Sequence, residues 1–191
     1  MYRKNGVSVA FLKKRHEKSI SLLDGIRPER ILDIGCDDGH FLSVLAEKYP
    51  EAELVGCDMN AETLKHAQRA CPRARLVHGN FMELDFEKTD LALFLEVLEH
   101  AENPKEMLMK ARDLLREGGH LMISIPRPEL LRWRVVWKLW SSTFGRRWHG
   151  EHTKMTEKDL IRLAESCGLG LRKKTRFFFD CVSIMLFRLE K

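Results

Sequence analysis

Two acidic residues, Asp37 and Asp38, stand between two glycines in the stretch RILDIGCDDGH, residues 30–40. A glycine loop at the end of an apolar run lets the backbone come close to a ligand, and the helix that follows offers free N–H groups. Such loops often cradle phosphates. Here the spacing is Gly35-x-x-x-Gly39, without the third glycine of a dinucleotide loop and without the lysine of a nucleotide-phosphate loop. Adjacent carboxylates would repel a pyrophosphate, so the loop favours a cationic ligand that has no phosphate.

S-adenosylmethionine, with a sulfonium, an ammonium and no phosphate, has that chemistry. The bland reading of the same residues is a tight strand-to-helix turn with solvated acids. Asp58, in LVGCDMN, ends a second apolar run, where a carboxylate suits the two hydroxyls of a ribose. Met59 follows and could lie on an adenine face, although methionine there is as often plain packing. Asn80 and Phe81 come just past a third run, where an amide could meet an adenine edge or simply make a turn. Three histidines are candidates to meet the methyl acceptor: His100 in EVLEH, and His149 and His152 in RRWHGEHTKMT. The last two lack a clear third ligand, so no metal is expected. Methyl transfer from a sulfonium is an in-line displacement, and a general base is needed only if the acceptor must lose a proton early.

The elements that must position these residues alternate. Short apolar runs at Ile31–Ile34, Leu54–Cys57, Arg75–His78, Leu91–Leu95 and His120–Ile125 read as strands. Helical stretches lie between them, about Phe41–Tyr49, Ala61–Ala70 and Pro104–Arg116, the last with Pro104 in its first turn and Gly118-Gly119 as its stop. This is the pattern of a doubly wound α/β fold, a mostly parallel seven-stranded sheet with helices on both faces. Residues 7–26 suggest a leading helix. Thr156-Glu157-Lys158-Asp159 resembles a capping box opening a helix to Cys167, and LRKKTRFFF and CVSIMLFRL then make a C-terminal antiparallel pair.

Taken in order, ILDIGCDDGHFLSVLA, LVGCDMN, HGNF, DLALFLEVLEHAENP and LLREGGHLMISIP resemble the class I S-adenosylmethionine-dependent methyltransferases, in the small-molecule branch with Leu-Glu-His after the fourth strand. The resemblance is dense over Arg30–Pro126. It implies a Rossmann-like fold with S-adenosylmethionine as cofactor and S-adenosylhomocysteine as product. It places Asp33 and Gly35 beside the methionine moiety, with Cys36 and Gly39 in the same loop, and gives Asp58 the ribose. It sets Met59, Asn80 and Phe81 around the adenine, and Leu95 and Glu96 at the methionine end. Asp37 departs from the family, which often has glycine there. If that backbone needs φ > 0, aspartate is the costlier occupant.

Between the fifth strand and the last helix, residues 127–150 read as a helical lid in a single-domain chain. If Glu129–Phe144 is helical, Leu130, Trp133, Val136, Trp137, Trp140 and Phe144 form one apolar stripe, while Leu131, Val135 and Leu139 form another. One stripe is enough for a surface helix, so the second is expected to cover a hydrophobic, lipid-like acceptor or to meet a membrane surface or partner. A helix buried on both sides is the plain alternative. With 191 residues, 44% hydrophobic and a net charge of only +5, the chain suits a globular protein rather than a nucleic-acid binder. Five scattered cysteines without metal spacing, no signal-peptide core at the N-terminus and no membrane-length apolar run point to a cytoplasmic protein. A non-catalytic binding module of the same fold and an RNA or protein methyltransferase are the competing classes. Oligomeric state has no sequence signal.

Overall fold

The computed structural model describes residues 6–127, 129, 130 and 155–190. In chain order these form α1 (Gly6–Leu22), β1 (Arg30–Ile34), α2 (His40–Lys48), β2 (Glu53–Asp58), α3 (Ala61–Ala70), β3 (Arg75–His78) and β4 (Thr89–Leu95). A 3-10 turn (Leu98–His100), α4 (Pro104–Leu114), β5 (Leu115–Pro126), α5 (Glu157–Ser166), β6 (Leu169–Phe177) and β7 (Val182–Leu189) follow. The strands make a seven-stranded sheet in the order β3-β2-β1-β4-β5-β7-β6. β1 to β5 pair in parallel, and β7 runs antiparallel to both β5 and β6. The chain works outward from β1 to β3 and then crosses to β4, so strand order reverses between β1 and β4. In open sheets of this kind a ligand lies at that crevice, beyond the carboxyl ends of the strands.

The continuous apolar runs of the central strands follow from burial on both faces. Ile31, Leu54, Leu93 and Leu95 point to the side covered by α1, α2 and α3. Their alternates Leu32, Ile34, Val55 and Phe94 pack with α4 and α5 through Leu108, Ala111, Leu160 and Ala164. Helix starts follow local chemistry. Asn60 accepts from the Glu62 and Thr63 N–H groups, Asn103 accepts from Glu106 N, and Thr156 with Asp159 completes the expected capping box.

Two boundaries differ clearly from the sequence expectation. The helix that starts at Pro104 ends at Leu114, and Gly118-Gly119 lie within β5. Leu115 pairs with Thr89 and His120 with Leu91, so Arg116, Glu117, Gly118 and Gly119 stand opposite Asp90 alone. The bulge is held because the Arg116 guanidinium reaches both Asp90 and Glu29, while Asp90 accepts the Glu29 and Arg30 N–H groups. Gly118, at φ +71°, supplies the left-handed residue. The leading helix also stops at Leu22, short of residue 26. Lys173 Nζ then donates to the carbonyls of Leu22 and Asp24. The lid expected over residues 127–150, apart from Arg127, Glu129 and Leu130, lies outside the described residues.

At the far edge of the sheet, Glu157 opens α5 while only 5% exposed. Its carboxylate accepts from Arg176 Nε at 3.0 Å, Arg176 Nη2 at 2.8 Å, Lys174 Nζ at 2.8 Å and Ser183 Oγ at 2.8 Å. Arg127, just past β5, adds an ion pair at 3.7 Å. The Arg176 hydrogen bonds lead in holding the Glu157 carboxyl down at about 2. A folded value below the ordinary 4.5 means that its stabilisation is complete above pH 4.5 and is lost as pH falls toward 2. Glu157→Gln is expected to cost about 3 kcal/mol at neutral pH, the scale of a broken buried pair, and to shrink that difference by pH 2. Denaturant melts at both pH values measure it, and equal stability at pH 7 would mean that the network contributes nothing net.

Candidate functional site

The loop after β1 is built from left-handed residues. Gly35 has φ +73°, Asp37 φ +46° and Gly39 φ +71°. A Cβ on Gly35 would stand 2.5 Å from Val97 Cγ2, and one on Gly39 would stand 2.7 Å from Ala67 Cα, so glycine is required at both places. Asp37 does occupy the position where φ is positive, which the family pattern put in question. Gly35 N and Cys36 N both donate to Cys57 O, at 2.8 and 3.1 Å. The side chain of Asp58 then fastens the loop. Its Oδ2 accepts from Asp37 N at 2.9 Å, and its Oδ1 accepts from Asn60 N at 2.8 Å. Each oxygen keeps a further lone pair for a ligand hydroxyl. Met59, next in the chain, is 72% exposed.

Next to this loop the sheet buries acids. Asp33, in the middle of the β1 ladder, is 3% exposed, and burial pushes its carboxyl up to about 7 against the opposing pull of Arg15. Glu96 follows β4 with φ +63°, and its Oε1 accepts from Ser124 Oγ at 2.7 Å. Burial raises its carboxyl as well, with Ser124 and Arg15 working the other way. Glu99 is 2% exposed and is held well above the usual carboxylate range, by burial first and by Glu96 second. The Arg15 guanidinium of α1 acts electrostatically on all three carboxylates. Its Nε is buried with no hydrogen-bond partner among the described residues. The next residue, His16, is buried against Phe41 and His40 at the start of α2, with ring centroids 4.9 and 5.2 Å apart.

The fold therefore gathers Asp33, Gly35, Cys36, Gly39, Asp58, Met59, Asn80, Leu95 and Glu96 at the carboxyl ends of β1 to β4 or in the loops that follow. Within that group the side chains differ. Cys36 is buried and its thiol is pushed up by burial, so only its backbone is offered to a ligand. Asn80 Oδ1 accepts from Met82 N at 3.0 Å, which is the turn role. Phe81 is 4% exposed, lies 5.8 Å from Phe94 and 5.9 Å from Phe86, and carries Lys110 Nζ 5.2 Å above its ring. It is a core residue under the site. His100 ends the 3-10 turn and is exposed, while His149 and His152 lie outside the described residues. Sequence reasoning missed Arg15 and Glu99. Arg15 sits among other cations in FLKKRHEK, and nothing local sets it apart.

Asp33 has a measurable consequence without any ligand. Its folded value near 7 exceeds the ordinary 3.8, so its favourable contribution is complete below pH 3.8 and is lost as pH rises toward 7. Asp33→Asn removes that loss, and on this ground the variant is expected to be more stable than the parent at pH 8 by on the order of 4 kcal/mol, the scale of three pKa units. Glu96 and Glu99 shift in the same direction, so part of the slope remains. Thermal melts from pH 4 to pH 8 check this, and parallel curves for the two proteins would show that Asp33 is not held in this way.

Comparison with known proteins agrees with the architecture. A family model described as "Methyltransferase domain" matches residues 9–174. A trans-aconitate 2-methyltransferase of Pseudomonas paraeruginosa is 34% identical over 120 residues, covering 61% of this chain and 44% of that protein. The chain thus spans less than half the length of this relative. Among solved structures, magnesium protoporphyrin IX methyltransferase from Synechocystis, with bound S-adenosylhomocysteine, superposes with a TM-score of 0.77 at 18% identity, covering 98% of this chain and 89% of that one. An N-methyltransferase from Bradyrhizobium japonicum in complex with S-adenosylhomocysteine gives 0.74 at 19% identity, covering 95% and 88%. With the family model spanning most of the sequence and the sheet order of the same type, the chain belongs to the methyltransferase-domain family, among the class I S-adenosylmethionine-dependent methyltransferases.

Proposed function

We propose that this chain transfers a methyl group from S-adenosylmethionine to a small acceptor with an apolar portion. The observation that carries the reading is the run of acids Asp33, Glu96 and Glu99 in and after β1 and β4, beside the glycine loop, with the Arg15 guanidinium acting electrostatically on all three. A ligand bearing an ammonium and a sulfonium suits such an acid-rich donor set, and the acid-lined loop has no phosphate to repel. Arg15, whose Nε has no hydrogen-bond partner among the described residues, is suited to the ligand's carboxylate. Asp58 keeps lone pairs for the ribose hydroxyls, and exposed Met59 offers a face to the adenine. When bound, the cofactor supplies an activated methyl group. The chain's own work is to orient the acceptor in line and keep water out. His100, exposed at the end of the 3-10 turn that follows β4, is the candidate to receive an acceptor proton if one must leave early.

The names of the relatives make trans-aconitate the first acceptor to test, beside apolar carboxylic acids. Binding of S-adenosylmethionine is expected to tighten about tenfold from pH 6 to pH 8, because the ionised fraction of a group titrating near 7 rises by that factor. Asp58→Ala is expected to weaken it about tenfold or more, the scale of lost charge-assisted hydrogen bonds. Calorimetry measures both, and transfer of labelled methyl measures turnover. Absence of cofactor binding would overturn the reading. Binding without transfer to any of the acceptors would leave a binding module.

A further inference from the structure

The turn that joins β6 to β7 is costly and exposed. Phe178, Phe179 and Asp180 have φ of +52°, +56° and +61°, three successive non-glycine residues in the left-handed region. Each such residue is disfavoured, and a short hairpin has cheaper sequences available, such as Asn-Gly. The turn also leaves the Phe179 side chain 74% exposed. Backbone in this state persists only where its surroundings impose it, and such places concentrate at functional sites.

The surroundings do impose it. Phe178 meets Phe11 of α1 edge-on at 5.1 Å, and Phe177 meets the same ring at 5.1 Å. Cys181 N donates to Phe178 O at 3.0 Å, Arg127 N donates to Cys181 O at 2.8 Å, and an Arg127 Nη donates to Asp180 O at 3.2 Å. At the base, Glu157 grips Arg176 on one strand and Ser183 on the other. The aromatic tip is therefore held on a rigid base rather than left loose.

Its position is equally specific. β6 is antiparallel to β7, which is antiparallel to β5, so the turn after β6 lies at the sheet edge where β1, β2, β4 and β5 end. Phe11 and Arg15 are four residues apart on α1, which puts them on one face, about 6 Å apart along the axis. Arg15 acts electrostatically on the acids beside the glycine loop, and Phe11 packs on the aromatic turn. One helical turn thus links the methionine end of the proposed cofactor site to an exposed phenyl ring.

Resting on the methyltransferase reading above, we propose that Phe179 is a specificity-determining residue for the acceptor, and that it receives an aromatic portion of that molecule. Aromatic rings favour offset or edge-to-face contact, and Phe178 and Phe179 are already tilted by 57° with centroids 5.8 Å apart. The two rings stand at the sheet edge where the parallel strands end, and an aliphatic polyacid would gain little from such a pair.

Phe179→Gly separates this role from packing. Glycine relieves the left-handed strain, so the variant is expected to melt at a temperature equal to or above that of the parent while losing the ring. With the protein saturated in S-adenosylhomocysteine, binding of 1-naphthoate as probe is expected to weaken about tenfold or more, while binding of trans-aconitate and of S-adenosylhomocysteine stays unchanged. Phe179→Tyr is expected to retain naphthoate binding. A fall in melting temperature for the glycine variant would make the ring a packing residue and overturn the proposal. Unchanged naphthoate binding in the variant, or no naphthoate binding by a parent that binds S-adenosylhomocysteine normally, would overturn it too and leave the cofactor reading standing. Failure of the parent to bind S-adenosylhomocysteine would overturn both.

Discussion

The desolvation of three carboxylates governs the working edge of this protein. Asp33 and Glu99 are buried and Glu96 is half-buried, and burial pushes each toward its neutral form. Fully buried charge is tolerated only with compensation, and here it comes from Arg15 on the leading helix. That helix is therefore part of the site as well as a cover for the sheet. Its Phe11 packs on the β6–β7 turn, and its His16 packs on the start of α2. Anything that moves α1 changes the charge balance at the ends of β1 and β4, and a cationic ligand at those carboxylates changes what α1 must supply.

Asp58 joins this centre to the glycine loop. One carboxylate holds the loop through Asp37 N and holds the entry to α3 through Asn60 N. Gly35 and Gly39 let the loop lie against Val97 and Ala67 at separations no side chain could accept. The left-handed Asp37 is the strained member, and its N–H is the one that Asp58 takes. This one carboxylate thus fixes the backbone on both sides of it, and its loss would act on loop geometry.

The opposite side of the edge depends on Glu157. Its acid is paired with Arg127, Lys174 and Arg176 and hydrogen-bonded to Ser183, so the end of β5, the start of α5 and the base of the β6–β7 turn share one anchor. Among the described residues no helix is long and apolar enough to cross a membrane, and no group of three or more His, Cys, Asp or Glu could hold a metal ion.

The sequence by itself determined what is local. LALFL and LMISI read as buried strands because both faces of a parallel strand are covered, and the capping box at Thr156 was visible because its two partners are three residues apart. The glycine spacing was legible for the same reason, with Gly35 and Gly39 both at positive φ. Tertiary structure decided the rest. Phe81 was expected beside the adenine, yet only packing shows it enclosed by Phe86 and Phe94. Gly118-Gly119 signals a helix stop, but pairing of Leu115 with Thr89 recruits those residues into β5. Arg15, Asp33, Glu96 and Glu99 come from three separate segments of the chain. Their coupling depends on burial and on distance through space, and neither is written in the spacing of residues along a sequence.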